Sequence, residues 1–191
     1  MMRLLDNVLP SEYKAPDGSI FSFRTDFRDW IMFETLMLDK DVPDRDKAFM
    51  AAQLIFPKLP DCDVSEFMLW FYRGGTVPKK RTKNKPGRTG SAAYSYEHDE
   101  ELIYAAFMQC YNIDLCESDM HWWKFRALFE GLSEDTKLRK VMGYRTMDIS
   151  EKALGAERAK HYKELKAAYA LPKYLSEQQK IDEMKRILNK G

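Results

Sequence analysis

Two histidines and two cysteines, His98, Cys110, Cys116 and His121, carry atoms that could hold zinc. They are separated by eleven, five and four residues, which matches no C-x-x-C knuckle. Cys110 also falls in an apolar helical run, where cysteine usually serves as a small hydrophobe. Carboxylates crowd at Glu97, Asp99, Glu100 and Glu101. Such a group can exchange protons or attract a cation, but acids also favour the positive end of a helix, and a helix is predicted to start there. Asp44, Asp46 and Lys47, and the pair Glu164 and Lys166, echo nuclease spacings. They fall on helical stretches rather than strands, and a chain with 32% charged residues produces such groupings by chance. The sequence contains no phosphate loop, no dinucleotide-binding glycine motif, no H-E-x-x-H and no nucleophile elbow. The expectation is a protein with no catalytic residues, no cofactor and no metal.

The cations are more concentrated. Lys79, Lys80, Arg81, Lys83, Lys85 and Arg88 lie within ten positions, in a stretch from Thr76 to Tyr96 that has no acidic residue. This basic loop, 76–96, is longer than a compact domain normally carries without a role. It has no aromatic between Tyr72 and Tyr94 on which a base could stack. A solvated linker is the first reading, contact with an anion or an acidic protein partner the second, and nucleic acid the third. The chain as a whole, with 31 basic and 30 acidic residues, offers no global field towards nucleic acid or lipid.

His121, Trp122 and Trp123 stand together in the densest aromatic stretch. Neighbouring helix positions point about 100 degrees apart, so the two indoles are not expected to share a pocket. One reading puts one of them in the core with Phe125 and Leu128 and the other at a rim or interface; the equal alternative buries both, with the indole N–H groups satisfied internally.

The elements that must position these residues are mostly helices. Pro16-Asp17-Gly18 reads as a turn, and Phe21 and Phe23 alternate with Ser22 and Arg24, giving a small hairpin within 11–25. Helical spacing follows from Asp26, with Phe27, Trp30, Ile31, Met37 and Leu38 on one face and Pro43 closing it. Further helices are predicted over 45–56, over Phe67–Tyr72 behind an Asp63/Glu66 capping box, and over 99–111. Ser118, Ser133 and Ser150 are read as caps of the next three, with Gly143 ending the second of them. The six apolar residues Phe67 to Tyr72 should be buried on most sides. A last helix, capped by Ser176 and Gln179, carries a thin stripe of Ile181, Met184 and Leu188, suited to docking on the body of the protein or on a partner. The prediction is thus a mostly α single compact domain of about seven to eight helices with an N-terminal β-hairpin. It divides into a core over 1–149 and a helical extension over 150–191. Three cysteines and no apolar run near ~18 residues point to reduced thiols, a cytoplasmic protein and no membrane partner.

The stretches Glu101-Leu102-Ile103-Tyr104-Ala105-Ala106-Phe107, Tyr111-Asn112-Ile113-Asp114-Leu115, His121-Trp122-Trp123-Lys124-Phe125-Arg126-Ala127-Leu128 and Gly131-Leu132 resemble the bacteriophage gene-product-fifteen family of long-tailed phages and prophages of Gram-positive bacteria. Tyr144-Arg145 falls where that family carries its own tyrosine-arginine pair. The resemblance implies a non-enzymatic role in tail morphogenesis, as a tail assembly chaperone that binds the tape-measure protein in the host bacterial cytoplasm. It supplies no catalytic residues. His121, Trp122, Trp123, Arg126, Tyr144 and Arg145 are the candidate partner-binding residues. The partners expected are the tape-measure protein, other tail proteins and a second copy of the chain. A structural tail or connector component, or a nucleic-acid-binding regulator using the basic loop, are the alternatives.

Overall fold

The computed structural model describes residues 9–76, 92–149, 155–171 and 177–189. The six basic-loop cations from Lys79 to Arg88, and the caps expected at Ser150 and Ser176, lie outside the described residues. The described chain is mostly α, with eight helices and one two-stranded antiparallel hairpin. It forms two compact units rather than one. Unit 1 comprises residues 1–81, 119–130 and 180–191, and unit 2 comprises 82–118 and 131–179.

In unit 1, β1 (Glu12–Lys14) pairs with β2 (Ile20–Ser22) in the register Tyr13 to Phe21. The tight return runs through Gly18 at φ 90°, a left-handed conformation that glycine adopts without a Cβ penalty. Three helices follow: α1 (Phe27–Leu38), α2 (Asp44–Ile55) and α3 (Ser65–Tyr72). Helix α1 buries Phe27, Trp30, Phe33, Glu34 and Met37. Pro43 serves as the N-cap of α2 rather than closing α1, which already ends at Leu38. The Asp63 carboxylate accepts the Ser65 amide at 2.8 Å, as a capping acid should, while Glu66 is exposed. Of the apolar run in α3, Trp70 is one-third exposed, because it shares an outward face with Glu66 one turn earlier. Met68, Phe71 and Tyr72 are buried and Phe67 and Leu69 half-buried, so the run is buried on most sides with Trp70 as its exposed member.

The aromatic core of unit 1 joins these helices. Phe71 lies 4.5 Å from Trp30 and 4.8 Å from Phe23, and Phe27 stacks on Phe125 at 4.7 Å. Such pairs contribute beyond their buried area, by about 0.5–1.5 kcal/mol each.

In unit 2, α4 (Glu100–Tyr111) ends with Asn112 in the left-handed region at φ 53°. Helix α6 (Lys137–Thr146) begins three residues later than a Ser133 cap implies. Ser133 instead starts a turn: its carbonyl accepts from the Thr136 amide at 3.1 Å and from the Thr136 hydroxyl at 2.8 Å, and Thr136 is the cap. Gly143 does not end this helix, which runs on to Thr146. Helix α7 (Ala156–Ala168) starts after Gly155. Helix α5 (Trp122–Glu130) belongs to unit 1, as does α8 (Glu177–Leu188) from Lys180 onward.

Candidate functional site

Helix α3 ends at Tyr72, and the last carbonyls of any helix have no partner within it. Side chains of α5 supply the missing donors. The Trp123 indole N–H donates to the Phe71 carbonyl at 2.8 Å, and the Trp122 indole N–H to the Tyr72 carbonyl at 2.8 Å. The Arg126 guanidinium adds a second bond to Tyr72 O at 2.7 Å, placing a cation at the negative end of α3. Both indoles are buried. Of the two readings the burial of both holds, and that of one core and one rim tryptophan does not: the 100-degree divergence is real, but the two rings straddle the end of α3. Trp122 stacks on Tyr72 at 5.5 Å, and Trp123 lies against Phe71 at 5.2 Å. Gly75, at φ 71°, lets the chain pass under Trp123, where a Cβ would stand 2.6 Å from the indole Cη2.

The helix containing the tryptophans starts at Trp122, not at Ser118, because the residues before it are engaged elsewhere. Asp26 and His121 form an isolated antiparallel bridge. Across it, the Phe27 amide donates to Met120 O at 2.9 Å and the Trp122 amide to Thr25 O at 2.7 Å. The first amides of α1 and α5, orphans in isolated helices, thereby satisfy each other's preceding strand. Asp26 caps α1 through the Arg28 amide at 2.9 Å and also accepts from the Met120 amide at 3.3 Å. His121 caps α5 with its ring: Nδ1 accepts from the Trp123 amide at 3.0 Å. Its Nε2 lies 3.1 Å from the Pro10 carbonyl, which can only accept, so the ring is the neutral Nε2–H tautomer. Burial pushes the His121 pKa below its ordinary value and Lys124 adds to this, against the opposing pull of the Pro10 carbonyl.

Tyr144 and Arg145 sit in unit 2, on α6. The buried Arg145 guanidinium makes a bidentate pair with Asp99, at 2.6 and 2.8 Å, and also donates to Ala93 O at 3.1 Å and Tyr169 O at 2.6 Å. Asp99, read from sequence as one acid of a helix-end cluster, is this internal partner, while Glu97, Glu100 and Glu101 are exposed. Tyr144 is half-buried beside the rings of Tyr162 and Tyr169. The six candidate residues therefore fall into two groups in two units, and each group ties helix ends together.

The zinc candidates divide likewise, with His98, Cys110 and Cys116 in unit 2 and His121 in unit 1. Among the described residues no three His, Cys, Asp or Glu side chains are grouped to hold a metal ion.

A second buried charge cluster was not foreseen. Glu34 of α1 accepts from the Tyr72 hydroxyl and from the Lys180 ammonium of α8, all three being buried. Also on α8, Arg186 bonds Asp44 at 2.7 Å and Glu183 at 2.9 Å, and the guanidinium holds both carboxyls below their ordinary pKa. The signal was present in the periodicity. Glu34 occupies an apolar slot in the series Phe27, Trp30, Glu34, Met37, and Lys180 does so in Lys180, Met184, Ile187, Leu188.

Fold and cluster together define a helical protein whose polar residues of interest lock helix termini. The chain belongs to a phage family, Bacteriophage Gp15 protein, whose model matches residues 5–171. No curated protein and no solved structure matches the chain significantly.

Proposed function

We propose that this phage protein acts without catalysis in tail assembly, as a chaperone that binds the tape-measure protein in the host cytoplasm. The observation that carries the reading is membership of the phage family over most of the chain. A tape-measure protein is a long helical rod with apolar faces, and a binder for it needs adaptable apolar side chains at its surface. Unit 1 has them: Met32 on α1, Phe49 and Met50 on α2 and Trp70 on α3 are all exposed. No helix among the described residues is long and apolar enough to cross a membrane, in keeping with a partner in solution.

With Trp122, Trp123 and Arg145 turned inward, the binding role passes to these exposed residues, and to the exposed edge of the His121 cap. Co-expression with the tape-measure protein of the same phage followed by pull-down tests the proposal. Recovery of a complex is expected, and its absence counts against the chaperone role. Mass spectrometry of purified particles separates the chaperone from a structural tail component: the chaperone is scarce there, the structural protein stoichiometric.

A further inference from the structure

The hairpin of unit 1 leaves one edge of β1 open. The Ala15 amide donates to Ser19 O at 2.8 Å and the Phe23 amide to Ser11 O at 3.3 Å. With Tyr13 opposite Phe21 between them, the odd-numbered residues of β1 turn their backbone groups towards β2. The N–H and C=O of Glu12 and Lys14 therefore point away from the hairpin, and no backbone group among the described residues meets them. The outer edge of β2 is closed at one end, where the Arg24 amide donates to Ile55 O at 2.8 Å. Pro10 and Pro16, next in the outward series of β1, carry no N–H, so the open edge is bounded on both sides. The side chains of Glu12 and Lys14 are exposed, and within the hairpin they face the uncharged Ser22 and Ile20. Neither has an ion-pair partner among the described residues.

We infer that β1 is a pairing edge for a second copy of this chain, in an antiparallel register centred on Tyr13. There Glu12 lies opposite the partner's Lys14, and Lys14 opposite the partner's Glu12. Each outward N–H then meets an outward carbonyl, and the two hairpins join into one continuous sheet. The charges decide the register. Sliding one strand by two residues keeps the outward groups facing, but it sets Glu12 against Glu12 or Lys14 against Lys14, and like charges directly opposite are destabilising. Parallel in-register pairing does both at once. Charged side chains on an edge commonly guard it against pairing. Here opposite signs at alternate residues make the edge complementary to itself, which is what a two-fold interface requires. So short a ladder buries little area, and the dimer is weak and concentration-dependent.

Reciprocal charge exchange tests this on the full-length chain. Glu12→Lys and Lys14→Glu each turn both facing pairs into like charges, and each should raise the dissociation constant of the dimer roughly tenfold. The double variant Glu12→Lys, Lys14→Glu restores opposite charges in the same register and should return to the wild-type value. Sedimentation over a concentration series reaching about 1 mM compares wild type with the variants. Both positions are exposed, so the melting temperatures should be unchanged, which separates lost association from lost folding.

Amide exchange locates the contact. With rising concentration the Glu12 and Lys14 amides should become protected, while those of Ile20 and Ser22 should not. A wild-type chain that stays monomeric throughout, a double variant that associates no better than the single ones, or Glu12 and Lys14 amides that exchange freely in the dimer overturns the inference.

Discussion

Asp26 and His121 face each other across a single antiparallel bridge, and each caps the helix that follows it. Their sequence separation makes this a long-range joint: the starts of α1 and α5 are held by the same two backbone hydrogen bonds. Two positive helix ends therefore meet at one place. The carboxylate of Asp26 suits that place, and a neutral imidazole is tolerated where an imidazolium would not be.

The pH dependence follows from that geometry. His121 has a folded-state pKa below its ordinary 6.5. The unfolded chain therefore takes up a proton first as pH falls, and the folded state gives up stability below about 6.5 until its own pKa is passed. Above that window the contribution is complete. Protonation would also place a hydrogen on Nδ1, where the Trp123 amide now donates. The difference in unfolding free energy between wild type and His121→Asn, measured from pH 8 to pH 5, should narrow on acidification. Asn retains a cap acceptor without titrating. A constant difference would mean that His121 does not titrate in this range.

Both tryptophans should behave as core residues. Trp122→Ala and Trp123→Ala are each expected to cost ~3–5 kcal/mol, measured by urea unfolding, since each removes a buried ring and one indole donor to the carbonyls that end α3, where Tyr72 O keeps the Arg126 bond. Neither variant should show a binding defect separable from its loss of stability.

Gly75→Ala should be nearly as damaging for a smaller change in mass. The new methyl would lie 2.6 Å from the Trp123 ring, on a backbone whose φ of 71° disfavours any Cβ. Overpacking and backbone conflict together are expected to cost about 2–4 kcal/mol. Alanine at Gly143, where a Cβ meets nothing within 4 Å, should be neutral or slightly stabilising. Thermal unfolding of the two variants checks the contrast.

In unit 2, Arg145→Met leaves Asp99 buried without its cation, and a loss of about 3–5 kcal/mol is expected. The double variant Arg145→Met, Asp99→Leu should recover a large part of it, because neither charge then remains unpaired. A double-mutant cycle by chemical denaturation measures the coupling.

At the surface, Phe49→Glu and Met50→Glu should leave stability within about 0.5 kcal/mol, as both side chains are exposed. If α2 contacts the tape-measure protein, the same changes should reduce the yield of the co-expressed complex.

The hairpin, α2 and α4 were legible in the sequence because their signals are local: the turn at Pro16-Asp17-Gly18, and helical spacing within a single uninterrupted stretch. The missed boundaries are those set from a distance. Nothing near Ser118 reveals that the residues before Trp122 pair with Thr25 and Asp26, so the helix was expected too early. Periodicity could not decide between burial of one and of both of Trp122 and Trp123, because it describes one helix and not the end of another helix lying between its side chains. The membership of the phage family was legible in the same aromatic stretch. Glu34 and Lys180 are the opposite case: their presence in apolar slots was visible, but charge in such a slot signals only that a partner exists.

The bond between Glu34 and Lys180 joins residues 146 positions apart. At a translation rate of about 5–20 residues per second, the carboxylate emerges roughly 7–30 seconds before the ammonium that neutralises it. Throughout that interval α1 carries a charged group in the middle of its apolar face, and unit 1 is incomplete until α8 has been made. Synthesis order thus makes the Glu34–Lys180 pair one of the last contacts of unit 1 to form.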